Sequence, residues 1–283
     1  MISKRLAGLL GALALAVLVF VWRIATRPVV GPGDAAYRQA LDARDRGESE
    51  TAVARLQQAI MSEPGNGEYH SDLGHLYVEI RRFDLAAAEF EAAAFLLPPA
   101  AAPTANAWLA RCLVELRRRE ESLAVVELAL KQDPRLAVAY AVRGEQRLRD
   151  DNLNEALSDF RKTLELSPDF GLAYQKAGYI LYQSQQYEEA KQMLERGLQR
   201  NPGDVGAHLL LAQTLLQLGG DPPTQALAEQ HLRAALVNNP EAHRVHAALG
   251  QLALRRNQLA EARAAFEASL STHPRFQEAR FGL

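Results

Sequence analysis

Seven prolines set the frame of this chain: Pro64, Pro98, Pro134, Pro168, Pro202, Pro240 and Pro274 recur at spacings of 34, 36, 34, 34, 38 and 34 residues. Four further columns keep step with them. One holds only glycine or alanine: Ala40, Gly74, Ala110, Gly144, Gly178, Ala212 and Gly250. The next is always small: Ala52, Ala86, Ser122, Ala156, Ala190, Ala228 and Ala262. A third is bulky and apolar: Leu56, Phe90, Val126, Phe160, Leu194, Leu232 and Phe266. The last is small again: Ala59, Ala93, Ala129, Thr163, Gly197, Ala235 and Ser269. Self-similarity at such a period means one supersecondary unit stacked on copies of itself.

The columns share one physical logic. Apolar spacing within a unit is helical, as in Leu73, Gly74 and Tyr77 followed by Ala86, Phe90 and Ala93. Two amphipathic helices that cross closely need a tiny side chain at the crossing, and the bulky column fills the space beside it. Proline ends the second helix and directs the turn into the next unit. No stretch reads as a credible strand. Alanine, leucine, arginine, glutamate and glutamine dominate, which favours helix.

A 34-residue period with small residues at positions 8, 20 and 27 and proline at position 32 resembles the tetratricopeptide repeat. The resemblance implies an all-α solenoid over residues 34–274. It would be a right-handed superhelix of seven helix–turn–helix repeats, at about 33–66, 67–102, 103–136, 137–170, 171–204, 205–242 and 243–276. The longer spacings are expected to fall in loops, two residues near Pro98–Pro103 and four in the hairpin Gly219–Pro223. A column near the start of each unit, where the family carries a large aromatic, is weak here: Ala36, His70, Asn106, Tyr140, Tyr174, His208 and His246. Arg143 and Arg147 stand where apolar residues are preferred, making the fourth unit the looser joint. Residues 275–283 read as a partial capping helix. Because a stack exposes an apolar side at its last unit, this segment covers it incompletely, or a partner or second copy covers it, or the natural product is longer.

Leu6 to Trp22 is a run of 17 uncharged residues between Lys4–Arg5 and Arg23. As a helix it covers about 26 Å of a bilayer core of about 30 Å, and snorkelling by Arg23 lets Ile24–Thr26 complete the span. Trp22 sits where an interfacial aromatic belongs. The competing reading is a cleaved signal peptide, but the run exceeds the usual apolar region and no A-x-A site follows it. Residues 1–26 are thus expected to be one N-terminal transmembrane helix or else a signal sequence, and 27–33 a short stiff linker. The basic residues ahead of the run place the N-terminus inside and the repeats outside the cytoplasm, most naturally at a bacterial inner membrane.

Charge and chemistry exclude other classes. Of 32 basic residues, Lys4, Arg5, Arg23 and Arg27 lie in the first 33 positions, leaving 28 against 34 acidic residues in the remainder. That acidic body argues against nucleic acid. The single cysteine, Cys112, excludes an internal disulfide and multi-cysteine metal knuckles, and reads as packing. His243 and His246 lack further ligands, and the carboxylates form no singular pair. The run Arg117–Glu121 reads as a solvated turn. Catalytic, cofactor and metal sites are therefore expected to be absent.

The family's first helices line a concave face on which partners bind. Carried over by position, the partner groove comprises Trp108, Arg111, Glu145, Arg149, Gln175, Lys176, Tyr179, Tyr182 and Gln213, with Tyr37, Asp72, His75 and Glu115 among the outer candidates. Aromatic residues and arginine dominate interaction hot spots. The alternative is that these side chains only pack between neighbouring first helices. Lys/Asn pairs that grip a C-terminal carboxylate in some such domains are missing, the matching positions being Tyr37/Leu41, Ser71/His75 and Ala107/Arg111. The expected function is a membrane-tethered scaffold for a protein or peptide ligand in an envelope or secretion assembly. The alternatives are an accessory subunit presenting substrate to a separate enzyme, or an organelle import-type receptor.

Overall fold

The computed structural model describes residues 31–282, so the apolar run expected to form a membrane helix lies outside the described residues. Among the described residues no helix is long and apolar enough to cross a membrane. They form fifteen α-helices and no strand. Paired as hairpins these are α1 (Asp34–Asp45) with α2 (Ser49–Ser62), α3 (Gly67–Glu79) with α4 (Phe83–Leu96), and α5 (Ala102–Glu115) with α6 (Arg119–Gln132). Then come α7 (Ala137–Arg149) with α8 (Leu153–Leu166), α9 (Gly171–Gln183) with α10 (Tyr187–Arg200), and α11 (Val205–Leu218) with α12 (Pro222–Asn238). Finally α13 (His243–Arg255) pairs with α14 (Leu259–Thr272), and α15 (Gln277–Gly282) leans on both.

Every residue of the four periodic columns is buried. A Cβ added to Gly74 would meet the Phe90 ring at 3.0 Å, and one on Gly250 would meet Phe266 at 2.7 Å. The glycines sit where the next helix leaves no room for a methyl group. Glycine faces phenylalanine in the hairpins of Gly74, Gly144 and Gly250, whereas Ala40, Ala110 and Ala212 face Leu56, Val126 and Leu232. One methyl group on the first helix is exchanged for ring volume on the second, which keeps the crossing close-packed. Gly178 facing Leu194 is the exception.

Each second helix stops two residues before its proline. The intervening residue is held out of the helical region: Glu63 at φ −139°, ψ 76°, Ser167 at −140°, 88° and Asn239 at −143°, 91°. Proline Cδ forbids helical geometry to the residue before it, so the stop is steric. Six of the seven hairpin turns use a left-handed residue instead, the turn between α11 and α12 being the exception. Only Gly47 is a glycine there; Arg81, Arg117, Asp151, Gln185 and Asn257 take φ of 58–61° with a side chain present. Arg82 N–H bonds to Tyr77 O at 2.8 Å and Arg81 N–H to Val78 O at 3.0 Å, the two bonds of a Schellman end. Left-handed geometry costs a residue with a Cβ, so Gln185→Gly is expected to stabilise the protein by about 0.5–1 kcal/mol in urea denaturation.

The longer spacings are absorbed differently from the expectation. Between Leu218 and Pro222 the connection is three residues, no longer than that between Glu79 and Phe83. The four extra residues instead lengthen α11 and extend α12 at its N-terminus. Pro222 and Pro223 occupy the first turn of α12, where a missing N–H costs nothing, and Asp221 caps it by accepting from the Thr224 N–H at 3.4 Å while also accepting from Thr224 Oγ1 at 2.6 Å. At Pro98 one added residue lengthens the turn and the other lengthens α5.

The weak aromatic column has a role of its own. Tyr140 Oη donates to the carbonyl of Pro134 at 3.2 Å. His70, His208 and His246 each place Nε2 on the carbonyl of Pro64, Pro202 and Pro240, at 3.3, 3.0 and 2.8 Å. These bonds tie the start of one unit to the turn leaving the previous one and satisfy a carbonyl of that turn. The fourth unit is likewise pinned by charge. Arg143 reaches Asp159 with Nη2 and Nε, at 2.8 and 3.0 Å, and Arg147 Nη1 reaches it at 2.8 Å. Asp159 is 3% exposed. The two arginines are paired, so the polar departure marks a buried ionic joint.

Candidate functional site

Several consecutive first helices touch one another, α5 with α7, α9 with α11 and α11 with α13, whereas consecutive second helices barely meet. Closer spacing on one side curves the stack towards that side, so the first helices line its inner face. Predicted groove residues all lie on first helices, but they do not form one site.

Trp108 and Arg111 stand apart on α5. Trp108 lies edge-on to His75 with ring centroids 4.7 Å apart, and it stacks over Phe90 at 6.1 Å. The Arg111 guanidinium sits 5.5 Å from the Trp108 ring, a cation–π contact. Trp108 is partly buried and serves the joint between the second and third units. Burial in this stack pulls the His75 imidazole below its ordinary pKa, against the raising effect of Asp72 and Glu79. Burial, and then the neighbouring His208, do the same for His231. A histidine depressed on folding takes up its proton more readily in the unfolded chain, so stability is full above about pH 6.5 and declines as pH falls below it. Urea midpoints are therefore expected to drop between pH 7 and pH 5, and to drop less in His75→Gln. A pH-independent midpoint would contradict this.

Glu145 and Arg149 sit on α7. Arg149 is tied across the unit boundary to Glu115 at 3.2 Å and to the Val114 carbonyl at 3.3 Å. It lines a cavity of about 360 Å³ with Arg117, Arg119, Gln146, Asp150 and Val114. Glu145 is half-buried and forms no ion pair among the described residues. Cys112 is fully buried, and burial pushes its thiol up to about 12, so it cannot serve as a thiolate nucleophile near neutral pH.

Five predicted residues do converge. Gln175, Lys176, Tyr179 and Tyr182 of α9 and Gln213 of α11 line one cavity of about 470 Å³. Leu148 of α7 and Arg244 of α13 complete it, with Gln183, Gly206, Leu209 and Leu210, so four successive units contribute. Tyr179 is 41% exposed, while Tyr182 packs its ring against Tyr187 at 5.6 Å. Gln175 Nε2 donates to Asp204 Oδ1 at 3.2 Å, and the same oxygen caps α11 by accepting from Ala207 N–H at 2.9 Å. A Cβ at Gly206 would lie 2.0 Å from Gln175 Nε2, so a larger residue there would push this amide out of its present position. Leu148, Gly206, Leu209, Leu210 and Arg244 are absent from the groove expected from the sequence. Gly206 carries a signal there, since none of the equivalent positions Glu68, Thr104, Val138, Leu172 and Arg244 is glycine.

An all-helical solenoid of hairpin repeats, whose first helices form a lined inner groove, is a class of binding scaffold. The tetratricopeptide-repeat models match residues 37–105, 71–137, 147–213 and 226–283, and the chain belongs to the tetratricopeptide-repeat family. Proteins of this family mediate protein–protein interactions, and the fold is typically non-enzymatic. Among curated proteins, the chain is 28% identical over 163 residues to "Anaphase-promoting complex subunit 7" of Arabidopsis thaliana, across 52% of this chain and 28% of that protein. It is 27% identical over 124 residues to "Protein STIP1 homolog" of Dictyostelium discoideum, across 36% of this chain and 22% of that protein. The chain thus spans under a third of either relative. Its fold matches a chain of the APC/C hetero-tetramer Cut9–Hcn1 with a TM-score of 0.73 at 15% identity, over 86% of this chain and 47% of that one. A tetratricopeptide repeat protein from Parabacteroides merdae matches at 0.59 and 18% identity, over 89% and 97%. At such identities the likeness is one of fold.

Proposed function

We propose that this chain is a scaffold that holds an extended segment of a partner protein against its first helices, principally between α7 and α13, while residues 1–26 tether it to a membrane. The observation that carries the reading is the cavity of about 470 Å³ shared by four successive units, built from leucines, two tyrosines and polar side chains. Such a mixture, apolar walls with a few placed polar groups, suits a peptide better than a flat protein face. The uncharged run from Leu6 to Trp22 with its basic flanks supports tethering, with the repeats outside the cytoplasm in an envelope or secretion assembly. The groove performs no chemistry in this reading, and any reaction belongs to the partner.

A photo-crosslinking residue at Gln213, in the native membrane, is expected to capture a discrete partner band that the same residue at Glu195, exposed on the second helix α10, does not. Equal capture from both positions would remove the groove as the binding surface. Protease added to spheroplasts is expected to digest the repeats. Repeats that survive intact until the membrane is broken would reverse the orientation.

A further inference from the structure

Resting on the groove reading above, we propose that the partner segment is acidic: an extended peptide whose carboxylate lies between Lys176 and Arg244 and whose neighbouring apolar side chain rests on Leu209 and Leu210. The argument is one of charge. All these residues line the cavity of about 470 Å³, and no aspartate or glutamate lines it. This happens in a chain whose remainder, past residue 33, carries more acid than base.

Several arginines that lie between helices of this molecule are ion-paired, within a unit or across a unit boundary. Arg143 and Arg147 are matched by Asp159, Arg149 by Glu115 and Arg256 by Glu229, each within 3.2 Å. Lys176 and Arg244 form no ion pair among the described residues. The acid nearest in sequence to this wall, Asp204, is engaged with Gln175 and with the Ala207 N–H, and it does not line the cavity. Two positive charges beside leucine walls concentrate positive potential in the groove, because low-dielectric walls screen it poorly. A carboxylate entering there meets charge-assisted donors, whereas a basic segment meets like charge without relief. The fixed amide of Gln175 leaves its carbonyl oxygen to accept from a passing backbone N–H.

The test uses the full chain in mild detergent, panned against a phage-displayed random-peptide library, with selected peptides then measured by fluorescence polarisation. The selected peptides are expected to be enriched in aspartate and glutamate, and their asparagine/glutamine twins to bind about tenfold more weakly. Lys176→Gln and Arg244→Gln should each weaken binding by about five- to tenfold with unchanged circular dichroism, and added salt should weaken it further. Neutral or basic selected peptides that lose binding in Tyr179→Ala, yet ignore both charge substitutions, would overturn the acidic assignment and leave the groove reading standing. Peptides indifferent to Tyr179→Ala and Gln213→Ala, or none selected at all, would remove the groove reading itself. Displacement of the probe by excess chain, together with dimer in sedimentation, would make a second copy the occupant and overturn the proposal.

Discussion

Asp159→Ala is expected to cost the protein about 3–5 kcal/mol, measured by urea denaturation followed by circular dichroism. Asp159 is 3% exposed and accepts from both Arg143 and Arg147. Those arginines have further partners in Glu127, at 2.9 Å, and Glu155, at 3.2 Å, but both glutamates lie at the surface. Removing the buried carboxylate leaves two partly buried guanidinium groups without their shared counter-ion. The hydrogen bond that Arg143 donates to Asp159 is what raises the Arg143 pKa most, and even without it a guanidinium stays charged at every accessible pH, so the charge cannot be shed to relieve the site. The loss measures an uncompensated charge rather than the net worth of the pair. A triple change of Asp159, Arg143 and Arg147 to leucine is therefore expected to lie far closer to the parent than the single change does. If Asp159→Ala melted like the parent, the ionic joint would be ornamental and the fourth unit loose after all.

Gly74→Val is expected to cost about 2–3 kcal/mol, because the added carbons must displace the Phe90 ring at 3.0 Å. Phe90 is fully buried and its edge meets His75, so the ring has little room to retreat. Gly74→Ala is milder, about 1 kcal/mol, since better helix propensity offsets part of the overpacking. The decisive comparison is the pair Gly74→Ala with Phe90→Leu, which copies the arrangement already used by Ala40 with Leu56 and Ala212 with Leu232. The double variant is expected to be more stable than the sum of the single losses predicts, with a favourable coupling of about 1 kcal/mol. Hydrogen exchange should localise the loss to α3 and α4 and their neighbours, as expected of a stack whose units contact only adjacent units. Simple additivity would mean that the two columns do not share a volume constraint.

Both experiments probe features with different visibility in the sequence. Gly74 and Phe90 stand out in the amino-acid sequence itself, because all seven copies of the unit pair a glycine or alanine with a bulky apolar residue at these two positions, and chance does not. Asp159 does not stand out. It occurs once, and a single aspartate between a leucine-rich stretch and a phenylalanine looks like any solvated helix residue until the two arginines of the preceding helix are seen to fold over it. The histidines, and the tyrosine of the fourth unit, likewise look like a weakened aromatic column. Their common bond to a proline carbonyl lies six residues back across a turn, at a distance no helical periodicity encodes.

The groove divides along the same line. That Lys176, Tyr179, Tyr182 and Gln213 belong to first helices follows from their place in the period. That they share a cavity with Leu148 and Arg244, while Trp108 and Arg111 join the packing two units away, follows from how successive units lean on each other. The period alone determined the helices, their pairing and the burial of every small column, because two backbones cannot approach closely unless glycine, alanine or a small hydroxyl residue stands at the contact. Which inward side chains end beside the shared cavity and which inside a joint was decided by tertiary packing, because the tilt of each unit on the next depends on non-repeating contacts such as Asp159 with its arginines and Gly206 beneath Gln175.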